Sequence, residues 1–322
     1  TFATNSPDVL RLVREVYGRW ADLPRREAVG SPSDARVEIV VAGPSRSGAP
    51  GEAGHAGVGG EPAGRASTRG AATVVGGSGG GLGTLRIDLP GGRGTADPLR
   101  SESRARVTPG LVANRDVFVE ELLEPLTLFL LSARDRQPVH AAAVGRGDTA
   151  VLLAGPSGAG KSTLAYAASR SGFRVLADEP VYVQLHPRLR VWGRRSRIHL
   201  TPEARDHFPE LAGVEARDLP SGKRKVVVDP GDGGLPYAER AGLCILAPGS
   251  GGRPSLEPVS PERAVAELAT ELDPGYDLFA DTIDERIARV AEGGAWRLRL
   301  TRDPQAAVPL LGEALARVGA PV

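Results

Sequence analysis

The nine residues from Gly155 to Thr163, GPSGAGKST, constrain this chain more than any other stretch. They fit Gly-x-x-x-x-Gly-Lys-[Ser/Thr], the phosphate-cradling P-loop pattern. The apolar run Ala150, Val151, Leu152, Leu153 and Ala154 just before them reads as a buried strand. Just after, Ser162 to Arg170 is rich in Ala and Leu and reads as a helix stopped by Gly172. Strand, glycine loop and helix in that order predict an anion cradle. Gly155, Gly158 and Gly160 let the backbone turn its N–H groups inward, and Pro156, Ser157, Ala159 and Thr163 complete the cradle. Lys161 is expected to reach the β- and γ-phosphates and Ser162 to ligate Mg²⁺, so the loop predicts a nucleotide, with ATP and Mg²⁺ as cofactors.

Composition adds a second signal. Of the 40 Lys plus Arg, only Lys161, Lys223 and Lys225 are lysine. Lysines that persist against such a bias mark places where a compact ammonium is wanted and a planar guanidinium is not. One is the loop lysine. The other two flank Arg224 in SGKRKVVVD, which makes Lys223, Arg224 and Lys225 candidates for contact with substrate.

The length of 322 residues fits one or two domains. A formal charge of +1 gives no case for bulk attraction to nucleic acid or a membrane. Cys244, the one cysteine, lies in the apolar run Leu243 to Ala247 and is expected in a core, with no disulfide framework. No apolar stretch approaches the roughly 18 residues of a membrane span and no signal peptide opens the chain, so a cytoplasmic protein is expected. The reading leaves a homo-oligomer open.

Residues 5 to 20 carry a capping signal followed by amphipathic spacing and predict a helix, while 36 to 42 alternate and predict a strand. Between 43 and 83 fall 15 of the chain's 42 glycines, and the only large apolar residues are Val58, Val74, Val75 and Leu82. That segment is expected to be a disordered insert, with 84 to 89 a strand pairing with 36 to 42 across it. A helix over 116 to 133 should be kinked or split by Pro125. Residues 1 to 132 thus read as a small α+β N-terminal layer, and 133 to 322 as an α/β domain around the glycine loop.

An acidic pair, Asp178 and Glu179, ends the strand 173 to 177 that follows the loop helix. Strand ends converge on the ligand crevice of an open α/β sheet, so these carboxylates should face the γ-phosphate and its metal. Two roles need filling there. Asp178 is assigned as the base toward the attacking group, and Glu179 as a direct or water-mediated magnesium contact. His140 precedes Ala141-Ala142-Ala143 one strand upstream of the loop and is a third candidate.

Read together, VHAAAV, LLAGPSGAGKSTLA and GFRVLADEPVYV resemble the catalytic domain of the HPr serine kinase/phosphorylases, P-loop kinases related to phosphoenolpyruvate carboxykinase. The resemblance covers about 137 to 185. It implies that His140 and Lys161 are catalytic, that Asp178 accepts the proton of a substrate serine, and that Ser162 binds magnesium. The chain departs from the family at Glu179, where the family has a second aspartate. It also lacks the Leu-Glu-x-Arg-Gly signature associated with phosphorolysis, Glu203 standing in that region without the flanking pattern. HLTPEARDHFPEL and GKRKVVVD instead resemble the divergent kinases of peptide-biosynthesis clusters. The implied activity is transfer of the γ-phosphoryl group of ATP to a hydroxyl, chiefly a serine of a peptide or protein. A small-molecule kinase of the same fold and a nucleotide-sensing regulatory ATPase are the alternatives.

Overall fold

The computed structural model describes residues 1–21, 35–42, 68–69, 72–75, 83–193, 197–220, 222–231, 236–249, 252–268 and 280–320. The chain divides into two units, Thr1–Val13 with Arg26–Ala133, and Arg14–Arg25 with Arg134–Val322. It is a mixed α/β protein with several sheets.

The first unit is a seven-stranded sheet. Its strands are β1 (Phe2–Thr4), β2 (Arg36–Val41), β3 (Thr68–Arg69), β4 (Ala72–Val75), β5 (Thr84–Leu89), β6 (Gly92–Asp97) and β7 (Glu102–Val107), in the order β1-β2-β7-β6-β5-β4-β3. Two expectations are corrected here. β5 pairs with β4 and β6, whereas β2 pairs with β1 and β7. The strands that intervene were illegible because their inward positions are small: Gly94, Ala96, Ser103 and Ala105 are buried in place of the usual Val or Ile. Nor is the whole of 43 to 83 without order, since Thr73, Val74 and Val75 extend the sheet against β5. β-branching at three successive residues suits an extended strand even in glycine-rich surroundings. The rest of that segment lies mostly outside the described residues.

Small inward residues let helices lie close on the sheet. A Cβ added to Gly94 would stand 2.8 Å from Leu126 Cδ1, and one on Gly92 would stand 2.4 Å from Leu111 Cδ2. The helical layer runs as α2 (Pro109–Ala113), α3 (Arg115–Val117), a π-helical turn over Phe118–Leu123, and α4 (Glu124–Ser132). Pro125 does not split the expected helix, whose backbone stays helical from Arg115 to Ser132. The preceding turn widens, Glu124 N–H donating to Val119 O, and Pro125 follows in the first turn of α4. The helix expected near the N-terminus forms as α1 (Pro7–Ala21).

The second unit centres on a six-stranded sheet. In chain order its strands are β9 (Ala141–Arg146), β10 (Thr149–Ala154), β11 (Arg174–Ala177), β18 (Arg240–Pro248), β19 (Ser255–Pro258) and β20 (Ala295–Leu300), arranged β11-β9-β10-β18-β20-β19. β10, β18 and β20 are mutually parallel, and β9 runs antiparallel between β10 and β11. Every residue of β10 is buried, because both sheet faces are covered. A central strand of this kind reads as an unbroken apolar run. On one face pack α5 (Lys161–Arg170) and α8 (Val308–Arg317), through Leu164, Ala165, Leu311 and Ala314. On the other pack α6 (Pro261–Leu268) and α7 (Ala280–Ala291), through Ala264, Ile283, Ile287 and Val290. Cys244 is fully buried on β18, and burial pushes its thiol pKa up.

Two smaller sheets adjoin. One, β17-β13-β12-β8, joins Tyr237–Ala238, Arg190–Trp192, Val181–Gln184 and Gln137–Val139; the other, β14-β16-β15, joins Ile198–Leu200, Arg224–Val228 and Ala216–Asp218. Among the described residues no helix is long and apolar enough to cross a membrane.

Candidate functional site

The register of the β9–β10 hairpin sets the site. Ala154, the last residue of β10, pairs with Ala141, the first of β9, so the chain entering β9 and the chain leaving β10 meet at one sheet edge. His140 and Gly155 are therefore neighbours although 15 positions apart. β11 runs antiparallel to β9 and so returns its C-terminal end, with Asp178, to that same edge. The expectation that neighbouring strand ends converge there holds with one difference. The acidic strand is separated from β10 by β9, whose start rather than end contributes.

Gly155, Gly158 and Gly160 all take positive φ, at 144°, 88° and 95°. Gly160 caps α5 in the left-handed region, which L side chains rarely adopt. The loop closes on itself through Ala159 N–H donating to Pro156 O at 3.0 Å. Lys161, 6% exposed, folds its ammonium back over the loop. Nζ donates to Gly155 O at 2.7 Å and to Pro156 O at 3.3 Å, and lies 2.8 Å from His140 Nε2. On the far side of the imidazole, Nδ1 stands 2.6 Å from Glu179 Oε1. An ammonium has only donors, so it assigns the lone pair to Nε2 and leaves the N–H on Nδ1, the nitrogen nearer the carboxylate. Glu179, His140 and Lys161 thus stand in one row at this edge.

Asp178, directly after β11, is 4% exposed. Its Oδ2 accepts His199 N–H at 2.8 Å from β14. Burial pushes its pKa up to about 6, against the pull of the His199 N–H and the Ser162 hydroxyl, both of which hydrogen-bond to it; the Glu179 charge adds to the rise and Lys225 opposes it. The second residue of α5 and the carboxylate that follows β11 are thus bonded together.

The three residues of SGKRKVVVD part company. Lys225, half-buried on β16, acts electrostatically on both Asp178 and Glu203. Arg224 points to Asp218 at 3.2 Å, and Lys223 is exposed on the turn between β15 and β16, where Leu219 N–H donates to Lys223 O. Ser221 lies outside the described residues. Ser157 is exposed at the loop's outer bend.

Sequence reasoning overlooked a cavity of about 340 Å³ beside the loop, bounded by Gly160 and Thr163, the ends of β18 and β20 at Gly249 and Leu300, and Arg302 and His207. The available signal was parallelism. β18 is an apolar run like β10, β20 alternates beside it, and parallel strands bring their following loops to the same edge.

Among the described residues no three His, Cys, Asp or Glu side chains gather as a metal cage. Ser162 Oγ beside the Asp178 carboxylate is a hard, oxygen-only donor set. It suits an ion that keeps several waters and is shared with phosphate oxygens, which is how magnesium is commonly held.

No family model and no curated protein gives a significant match to this chain. Among solved structures the chain is similar to the HPr(Ser) kinase/phosphatase from Coxiella burnetii, with 14% identity, 56% of this chain and 89% of that chain covered, and a TM-score of 0.28. That likeness is too loose to bear on the chemistry.

Proposed function

We propose that the glycine loop is a P-loop and that the protein is an ATP- and magnesium-dependent kinase, transferring the γ-phosphoryl group to a hydroxyl of a peptide or protein serine. The observation that carries this reading is the pairing, at one helix N-terminus, of a buried ammonium on the loop with a buried carboxylate whose pKa is raised to about 6. Positive-φ glycines and the start of α5 supply backbone N–H groups to phosphate oxygens. Lys161 exchanges its loop carbonyls for the β- and γ-phosphates. His140, held by Glu179, keeps that ammonium at the sheet edge.

In the transfer, the serine oxygen bonds to the γ-phosphorus as the bond to the β–γ bridging oxygen breaks. The serine proton passes to Asp178, and the pair of electrons leaves on the nucleoside diphosphate. A carboxylate of pKa about 6 is ionised near neutrality yet basic enough to take that proton. Magnesium, held by Ser162 and the phosphates, would neutralise charge on the transferring group. Glu179 is already engaged by His140, so its assignment as a metal contact is less favoured than Ser162. The cavity beside Gly160 and Thr163 accommodates the nucleoside, and serine as acceptor follows from the resemblance over 137 to 185.

Lys161→Ala is expected to abolish transfer from labelled ATP and to weaken ADP binding at least tenfold, with an unchanged fold by circular dichroism. Retained transfer overturns the reading. ATP hydrolysis without transfer to any peptide would favour the regulatory ATPase instead.

The two lysines of SGKRKVVVD should behave differently. Lys225→Ala removes the one cation that acts on Asp178 from β16 and is expected to lower kcat several-fold. Lys223→Ala, on the exposed turn, is expected to leave kcat and both KM values as they are. Steady-state kinetics of the two single variants checks this, and equal effects would count against the assignment.

A further inference from the structure

We propose that the outer face of the first unit's sheet binds an extended, acidic polypeptide segment. This surface is independent of the phosphoryl-transfer reading.

The inner side of β5, β6 and β7 is buried, so register fixes what points out. Across the face, Arg86 lies opposite Thr95 and Thr95 opposite Arg104, while Asp88 lies opposite Arg93 and Arg93 opposite Arg106. All four arginines are exposed. Like charges directly opposite one another destabilise a sheet, and Arg93 and Arg106 are such a pair. Arg104 is neutralised by Glu38 and Glu102, at 3.8 and 3.3 Å. Arg86, Arg93 and Arg106 make no ion pair or hydrogen bond among the described residues, although Asp88 is adjacent. A shallow groove of about 510 Å³ lies over them.

The chain as a whole carries only +1, so this local excess is not the by-product of a basic protein. An anion between Arg93 and Arg106 would turn their repulsion into a shared attraction, and a guanidinium fork meets a carboxylate with two parallel hydrogen bonds. The spacing favours an extended chain. Arg86 and Arg93 are diagonal neighbours on adjacent strands, about 7–8 Å apart, close to the repeat of alternate side chains of an extended peptide. Single-stranded nucleic acid fits less well. Sheets that bind it stack bases on aromatic side chains, and Val40, Thr95 and Asp88 are what lie between these arginines.

The test uses the full chain and a fluorescein-labelled decapeptide of alternating Glu and Thr, followed by anisotropy. Saturable binding is expected, weakened at least tenfold by replacing Glu with Gln in the peptide, and at least tenfold by Arg93→Glu with Arg106→Glu. Reversal at the exposed Arg317 of α8 should change binding less than twofold. Arg93→Glu faces Asp88 across the strands, so circular dichroism first checks that the doubly reversed variant folds. Should it fail to fold, Arg93→Gln with Arg106→Gln carries the same comparison. Absence of saturable binding overturns the proposal, as does equal loss on reversing Arg317. Tighter binding of a ten-nucleotide oligothymidylate, lost in the same double variant, would also overturn it by assigning the face to nucleic acid.

Discussion

Asp178→Asn is expected to keep nucleotide bound while phosphoryl transfer falls about 10²–10⁴-fold. The amide keeps the carboxylate's shape and can still accept the His199 N–H, but it cannot take a proton from the acceptor hydroxyl. The same burial that raises the parent's pKa to about 6 sets two pH dependences of opposite sense. Activity needs the ionised form, so the rate should climb as pH rises through about 6 and level off above it. Stability goes the other way. The folded pKa stands above the roughly 3.9 of an unfolded aspartate, so the stabilising contribution is complete below that value and is lost as pH rises through about 6. Asp178→Asn should therefore melt above the parent at pH 8, with the gap closing toward pH 4. Initial rates from pH 5 to 8 and melts at the two extremes measure both. A flat rate profile, or full transfer by the variant, would remove Asp178 from the role of base.

Asp135→Ala is expected to cost about 3 kcal/mol of stability, the low end of what breaking a buried ion pair costs. Asp135 takes a left-handed φ of 64° and gathers three donors. Its Oδ2 accepts Leu185 N–H at 2.8 Å and His186 N–H at 2.5 Å, and Oδ1 accepts from Arg286 Nη2 at 2.6 Å. Arg286 is 4% exposed, and truncating its carboxylate would strand a guanidinium away from water. Asp135 keeps a quarter of its side chain in solvent, which places the estimate at the low end. Denaturant titration of Asp135→Ala and of the double variant Asp135→Ala/Arg286→Met decides the matter. The double variant should regain a large part of the loss, and a single-variant cost under about 0.5 kcal/mol would show that Arg286 finds another partner.

Local chemistry made the candidate site readable and long-range pairing made the rest hard. Gly155 to Thr163 needed only their own order, because glycine spacing and a following helix are short-range facts. Asp178 was found because it ends an apolar run. The ammonium–imidazole–carboxylate chain of Lys161, His140 and Glu179 was not foreseen, since it depends on β9 running antiparallel between two strands that sequence order suggests are neighbours. The first unit was harder for a different reason. Gly92, Gly94, Ala96 and Ala105 face inward where helices press close, so the period-two pattern of large apolar residues that marks a strand is absent. Lys223 and Lys225 carried the same compositional signal, and the start of β16 at Arg224 separated them, leaving Lys223 on the exposed turn.

The hairpin that joins His140 to the glycine loop also acts as a gauge. Its two arms pair residue for residue from Ala141 with Ala154 down to Arg146 with Thr149, around a turn at Gly147 and Asp148. Extra residues confined to that turn leave the imidazole and the loop face to face. A single residue added inside either arm moves one of them along the sheet and exchanges the two faces of that arm. Length variation in this protein is therefore tolerable at the far end of the hairpin and forbidden along its sides, so the sequence interval between His140 and Gly155 records a mechanical fit.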